Sequence, residues 1–97
     1  MFKKIFLSII LILSSSMFSF SQSEEEAWRL NRMGAEAYKD GQYEKALSYY
    51  EESLKIFKEL NNPVGIAANL TGIGAVYKSL GQYEKALFYY EEALKIF

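Results

Sequence analysis

The 97-residue chain contains no cysteine and no histidine. The first absence removes disulfides, thiolate nucleophiles and lipid attachment at a leader cysteine. Together the two remove the usual zinc ligand sets and every mechanism that needs an imidazole. A single proline leaves little to interrupt helices. Charge of one sign is scarce as well. Eleven basic residues face 12 acidic ones, a formal net charge of −1, so no electrostatic argument favours nucleic acid. What is present is apolar and aromatic. A chain that is 51% hydrophobic and 24% charged is not disordered. Eight tyrosines and seven phenylalanines point to helices packed through aromatic side chains.

The hydrophobic content is unevenly placed. Lys3 and Lys4 precede a mainly apolar run from Ile5 to Leu13, and a serine-rich stretch follows. That stretch ends in Ser19-Phe20-Ser21, with small residues at the two positions a signal peptidase reads. This organisation predicts a cleavable secretory signal peptide over residues 1–21, with cleavage before Gln22. The alternative is an uncleaved membrane anchor. Ile5 to Phe20 would make a helix of about 24 Å, short of the roughly 30 Å hydrocarbon layer. Ser14, Ser15 and Ser16 interrupt it further, which favours cleavage. The leader would engage the membrane only during export, and the mature protein would be periplasmic or secreted. Without its leader and the two leader lysines the chain has 76 residues, nine basic and 12 acidic, for a charge of −3.

The mature region, residues 22–97, repeats itself. Gly41-Gln-Tyr-Glu-Lys-Ala-Leu-Ser-Tyr-Tyr-Glu-Glu-Ser-Leu-Lys-Ile-Phe57 recurs forty residues later as Gly81 to Phe97. Only Ser48/Phe88 and Ser53/Ala93 differ across the 17 positions. Met33-Gly34-Ala35 is likewise matched by Ile73-Gly74-Ala75. Each unit reads as two helices. In the second helix Tyr43, Ala46, Leu47, Tyr50, Leu54 and Phe57 share one face, repeated by Tyr83, Ala86, Leu87, Tyr90, Leu94 and Phe97. The outer face offers Glu51 with Lys55 and Glu91 with Lys95 as i, i+4 pairs. Ser23 and Glu26 suggest a capping box at the start of the first helix. Asp40-Gly41 and Leu80-Gly81 mark turns in which glycine takes a left-handed conformation. Asn62 can cap a helix with Pro63 at its first position.

This pattern resembles the tetratricopeptide repeat family. The second unit carries it best, with Leu70, Ile73, Gly74 and Tyr77 on one helix and Ala86 and Tyr90 on the next. The first unit supplies Leu30, Met33, Gly34, Ala46 and Tyr50, with Ala37 where tyrosine is usual. Both units have leucine where the motif prefers tryptophan, and Pro63 comes later than the motif's proline. The forty-residue period is similar to the longer variety of the family. The resemblance implies an all-α fold: two tandem helix-turn-helix repeats, about 24–60 and 63–97, forming the start of an α-solenoid. Small residues at Gly34, Gly74, Ala46 and Ala86 would let paired helices approach closely.

No catalytic constellation emerges. Glu51-Glu52 and Glu91-Glu92 are adjacent carboxylates, but helix neighbours point about 100° apart and do not converge. Gly72-Ile73-Gly74 hints at a phosphate loop, yet no strand precedes it and Tyr77 stands where a third glycine is needed. Asn69-Leu70-Thr71 is a glycosylation sequon by letter, inside a predicted helix. Tyr49-Tyr50 and Tyr89-Tyr90 could be stacking platforms for single-stranded nucleic acid, but their spacing makes Tyr50 and Tyr90 core. The chain is therefore expected to be no enzyme, with no cofactor, no metal and no nucleic-acid partner.

A binding surface is what the resemblance implies. In stacked helix pairs the first helices line a concave groove that captures peptides or extended protein segments. Trp28, Asn31, Ala35 and Tyr38 form that stripe in unit one; Ala68, Thr71, Ala75 and Lys78 form it in unit two. Trp28, Asn31 and Tyr38 are the foremost candidates for touching a ligand. The plainer reading has Trp28 sealing the end of the stack and Tyr38 packing on Tyr43. Family members that grip a terminal carboxylate use lysine and asparagine here. Asn31 with Ala35 and Thr71 with Ala75 do not rebuild that clamp. The apolar stripe ending at Phe97 is expected to stack on further repeats of the same chain or on a second copy. A chain that continues past Phe97 would look like the sensing end of a membrane signalling protein such as a histidine kinase.

Overall fold

A computed structural model describes residues 22–96, so the leader expected over 1–21 and the side chain of Phe97 lie outside the described residues. Four helices follow one another: α1 over 22–39, α2 at Tyr43–Glu59, α3 at Pro63–Ser79 and α4 at Tyr83–Leu94. The first two make one helix-turn-helix unit and the last two make the other.

The three turns share one shape, twenty residues apart. The N–H of Gln42 donates to the Ala37 carbonyl at 2.8 Å, that of Asn62 to Phe57 at 3.0 Å, and that of Gln82 to Tyr77 at 2.9 Å. This is the six-residue closure that ties off a helix around one left-handed residue. Gly41 and Gly81 occupy that position with φ of 75° and 77°. In the middle turn it belongs to Asn61, with φ of 53°. Asparagine is the residue after glycine that tolerates this region best, which is why the turn between the units carries no glycine mark.

The helix starts differ. At α3 the Asn62 side chain accepts from the Gly65 N–H at 3.1 Å, with Pro63 in the first turn as expected. At α1 the capping box expected from Ser23 and Glu26 is replaced. The helix already includes Gln22, and both Glu26 carboxylate oxygens accept from the Arg29 guanidinium at 2.6 and 2.8 Å. A two-pronged, charge-assisted pair outcompetes a single backbone N–H. The pair lies at the solvent surface, so it lowers the Glu26 pKa and raises that of Arg29 through their mutual hydrogen bond without anchoring the fold. The outer-face pairs also shift. Lys95 joins Glu92 at 2.7 Å rather than Glu91, and no Glu51–Lys55 bridge forms among the described residues.

Packing between helices rests on aromatic rings laid against glycines. A Cβ built on Gly34 would lie 2.9 Å from the Tyr50 ring, and one on Gly72 would lie 2.6 Å from the same ring. Tyr50 is thus held between α1 and α3. Phe57 is fully buried, with Trp28 edge-on at 4.7 Å on one side and the Gly65 backbone on the other. Tyr90 repeats the arrangement against Gly74, where a Cβ would meet the ring at 2.9 Å. Around Tyr50 the buried core continues through Ala37, Ala46, Ile73 and Val76.

The face expected on α2 does turn inward, with Ala46, Tyr50 and Phe57 buried and Tyr43, Leu47 and Leu54 half-buried. Its copy on α4 behaves otherwise. Ala86 is buried, but Tyr83, Leu87 and Leu94 keep 67, 57 and 70% of their surface exposed. The sequences are the same and the surroundings are not: α2 is packed between α1 and α3, whereas α4 has α3 on one side and no described helix on the other.

The tightest contact generates a stability prediction. Alanine is a better helix former than glycine by roughly 1 kcal/mol. At Gly65, however, a Cβ would sit 2.3 Å from the enclosed Phe57 ring. Gly65→Ala is therefore expected to lower stability by about 1–3 kcal/mol, read as a drop in urea midpoint; an unchanged or raised midpoint would contradict this packing.

Candidate peptide-binding groove

Helices α1 and α3 run side by side in the same direction, tied at two points. The Asn31 amide donates to Asn69 Oδ1 at 3.0 Å, and Tyr38 Oη shares a hydrogen bond with Ser79 Oγ at 2.8 Å. These pairs lie 38 and 41 residues apart, close to the repeat length, so each helix sits beside its own copy. The surface between the two ties is the groove floor.

All the residues expected on that floor are accessible to some degree. Ala35, Thr71 and Lys78 are exposed, while Trp28, Asn31, Tyr38, Ala68 and Ala75 are half-buried. They divide by what else they touch. Trp28 has its ring against Phe57. Its accessible edge lines an open hollow of about 670 Å³ with Gln22, Glu25, Arg29 and Arg32 on α1 itself. Asn31 is engaged by Asn69, and Tyr38 packs at a tilt of 52° and 5.8 Å on Tyr43 besides bonding Ser79. Three of the α1 candidates are thus already holding the helices together. Thr71 Oγ1 donates to the Ala67 carbonyl at 2.8 Å, back along its own helix. Ala35, Ala68, Ala75 and Lys78 make no side-chain hydrogen bond or ion pair among the described residues. The open part of the floor is therefore shallow and small-featured, with a lysine at the end where α3 finishes.

Beneath the floor is a polar cluster that the sequence pattern did not reveal. Asn69 and Ser53 are wholly buried. The Asn69 amide nitrogen donates to Ser53 Oγ at 2.8 Å and to the Gly65 carbonyl at 3.0 Å, while its oxygen accepts from Asn31. Ser53 passes its own proton to the Ala27 carbonyl at 2.6 Å. Every polar atom is matched, as burial requires. One chain of hydrogen bonds thereby links α1, α2 and α3. The sequon at Asn69 has no exposed amide to offer. The available signals were Ser53, one of the two differences between the copies, and an asparagine at a position whose helical phase points inward.

The other chemical candidates resolve into packing. Gly72 and Gly74 lie within α3 and receive the Tyr50 and Tyr90 rings. Tyr89 stacks on Tyr77 at 5.6 Å, with the Lys85 ammonium 5.3 Å from the Tyr77 ring. Among the described residues no cluster of three or more His, Cys, Asp or Glu side chains is placed to hold a metal ion. No described helix is long and apolar enough to cross a membrane.

Residues 23–97 match the family model of the tetratricopeptide repeat. No curated protein and no solved structure matches the chain.

One of the groove residues bears on a titration. Burial, and then the neighbouring Tyr38 phenol, raise the Tyr50 pKa above its ordinary value. An unfolded chain releases that proton near pH 10, and the folded chain holds it to higher pH. The contribution is fully present below about pH 10 and is lost as pH rises through the raised folded value. Urea melts between about pH 9 and about pH 11 should show stability falling, and Tyr50→Phe should flatten the fall. Equal slopes in the two proteins would refute the assignment.

Proposed function

The chain belongs to the tetratricopeptide repeat family, and on that premise we propose that it is an exported scaffold whose α1–α3 groove holds an extended peptide or protein segment. The repeat is a protein–protein interaction module and typically a non-catalytic scaffold. The choice of groove rests on one observation. Ala35, Ala75 and Lys78 lie accessible on adjacent parallel helices, with no internal role, over a buried hydrogen-bonded support that fixes their spacing. A rigid, shallow floor suits an extended backbone, whose side chains can settle over the alanines while Lys78 meets an acidic group. Thr71 lies on the same strip. Trp28, Asn31 and Tyr38 then act at its edges, holding the walls as much as touching the ligand. The open stripe of Tyr83, Leu87 and Leu94 takes a further helix, from additional repeats of the same chain or from a second copy. Export is read from the leader alone, with the working protein beginning near Gln22 in the periplasm or outside the cell.

Both parts have direct tests. Peptides selected from a random library on the full chain should bind at least about tenfold more weakly to Ala35→Arg and Ala75→Arg, with the helical circular dichroism signal unchanged. Selected peptides that ignore both arginines would place the site elsewhere. For export, the intact mass of protein recovered from the cell envelope and medium should begin at or near Gln22. A mass that retains residues 1–21 would refute cleavage.

A further inference from the structure

Two helices of this chain are so alike that something must tell them apart. Over the stretch that forms α2 and α4 only Ser48/Phe88 and Ser53/Ala93 differ. The stripe that α3 covers on α2, namely Tyr43, Leu47, Tyr50 and Leu54, is repeated without change on α4 as Tyr83, Leu87, Tyr90 and Leu94; there Tyr83, Leu87 and Leu94 are open, and Tyr90 lies half-buried with one side against Gly74. An α3 helix from a second copy would find on α4 the same apolar surface it covers at home. Such exchange would join copies head to tail without closing.

We propose that the Ser53–Asn69 hydrogen bond makes α3 selective for α2 of its own chain and bars it from the matching face of α4 on another copy. Of the two differences, Ser48/Phe88 lies on the exposed side of both helices. The other is buried in both, with Ser53 fully enclosed and Ala93 nearly so. At home, Asn69 gives one amide proton to Ser53 Oγ at 2.8 Å. Seated on α4, the same proton would face the methyl group of Ala93 and have no acceptor. The inference stands apart from the proposed groove, because the selecting contact lies beneath it.

Most of the site is already repeated in the α3–α4 unit, which isolates Ser53 as the discriminating group. Forty residues beyond Ala27, whose carbonyl accepts from Ser53, is Ala67, whose carbonyl accepts from Thr71 at 2.8 Å. Forty beyond Asn31, the partner of the Asn69 oxygen, is Thr71, whose hydroxyl would turn from the Ala67 carbonyl to donate to an incoming Asn69 oxygen and leave that carbonyl for a hydroxyl on residue 93. Gly74 lies against Tyr90 as Gly34 lies against Tyr50. A single hydroxyl on residue 93 would complete the set. α1 needs no such device. Against the Gly65, Asn69, Gly72 and Val76 that α3 turns toward its neighbours, α1 has Glu25, Arg29, Arg32 and Glu36. Those charges suit water and not an apolar stripe.

Refolding the full chain from urea at several concentrations, with light scattering on the eluted species, measures the exchanged multimers. Ala93→Ser is expected to raise their fraction about ten- to a hundredfold at equal concentration, the equivalent of one buried amide left without a partner. Ser53→Ala removes the preference from the other side and should also raise it. In an Asn69→Ala background the Ala93→Ser change should add nothing, since no amide remains to be satisfied. Multimers of Ala93→Ser at the level of the unaltered chain would overturn the proposal, and so would a gain that survives without Asn69.

Discussion

The close approach of helix backbones to aromatic rings is the constraint on which this fold depends. Tyr50 and Phe57 project from α2 into spaces that exist only because residues 34, 65 and 72 have no Cβ. A helix pair separated by ordinary side chains would have no room for a phenol ring between its axes. The rings therefore set the spacing of α1, α2 and α3 together, and the groove floor inherits that spacing. Tyr50 touches both first helices, so movement of one is felt by the other through a single side chain.

A second layer of order comes from polar contacts placed where the rings do not reach. Dispersion and hydrophobic burial hold helices together but let them slide with little penalty. The Asn31–Asn69–Ser53–Ala27 chain has only one satisfied arrangement, because each hydrogen-bonding atom needs a particular neighbour. Tyr38 and Ser79 fix the other end of the α1–α3 pair in the same manner. A near-duplicated apolar surface specifies contact, and a few polar atoms specify which contact.

The repeat made much of the fold legible from the residues. The copy at Gly81–Phe97 marked α2 and α4, the spacing of Ala46, Tyr50 and Phe57 marked the inward face, and Asn62-Pro63 marked the start of α3. Other features lay beyond a one-dimensional reading. Asn61 has the turn conformation of glycine without being one. Glu26 could have served a cap or a guanidinium, and only the helical conformation of Gln22 and Ser23 decides for Arg29. The identical stripes on α2 and α4 differ in exposure, half-buried on one and largely open on the other, which is a property of neighbours rather than of letters. At the groove, the positions followed from helical phase, since Ala35, Thr71, Ala75 and Lys78 reach the surface together. The packing of Tyr38 on Tyr43 followed too, but the hydrogen bonds of Asn31 and Tyr38 did not, because their partners Asn69 and Ser79 lie about a repeat length away.

The even spacing of the three turns bears on how the chain acquires its structure. Helices, two of them 17 residues long, alternate with turns of one shape, so each helix meets partners no further off than the next two elements. Such topology has short loops to close and belongs to the fast-folding end of the range. It is also directional. Once α1 and α2 have paired, α3 has a finished surface to land on, and α4 then needs only α3. A polypeptide delivered end first, as from a ribosome or a translocation pore, can thus fold in the order in which it emerges, with no early segment waiting for a late one.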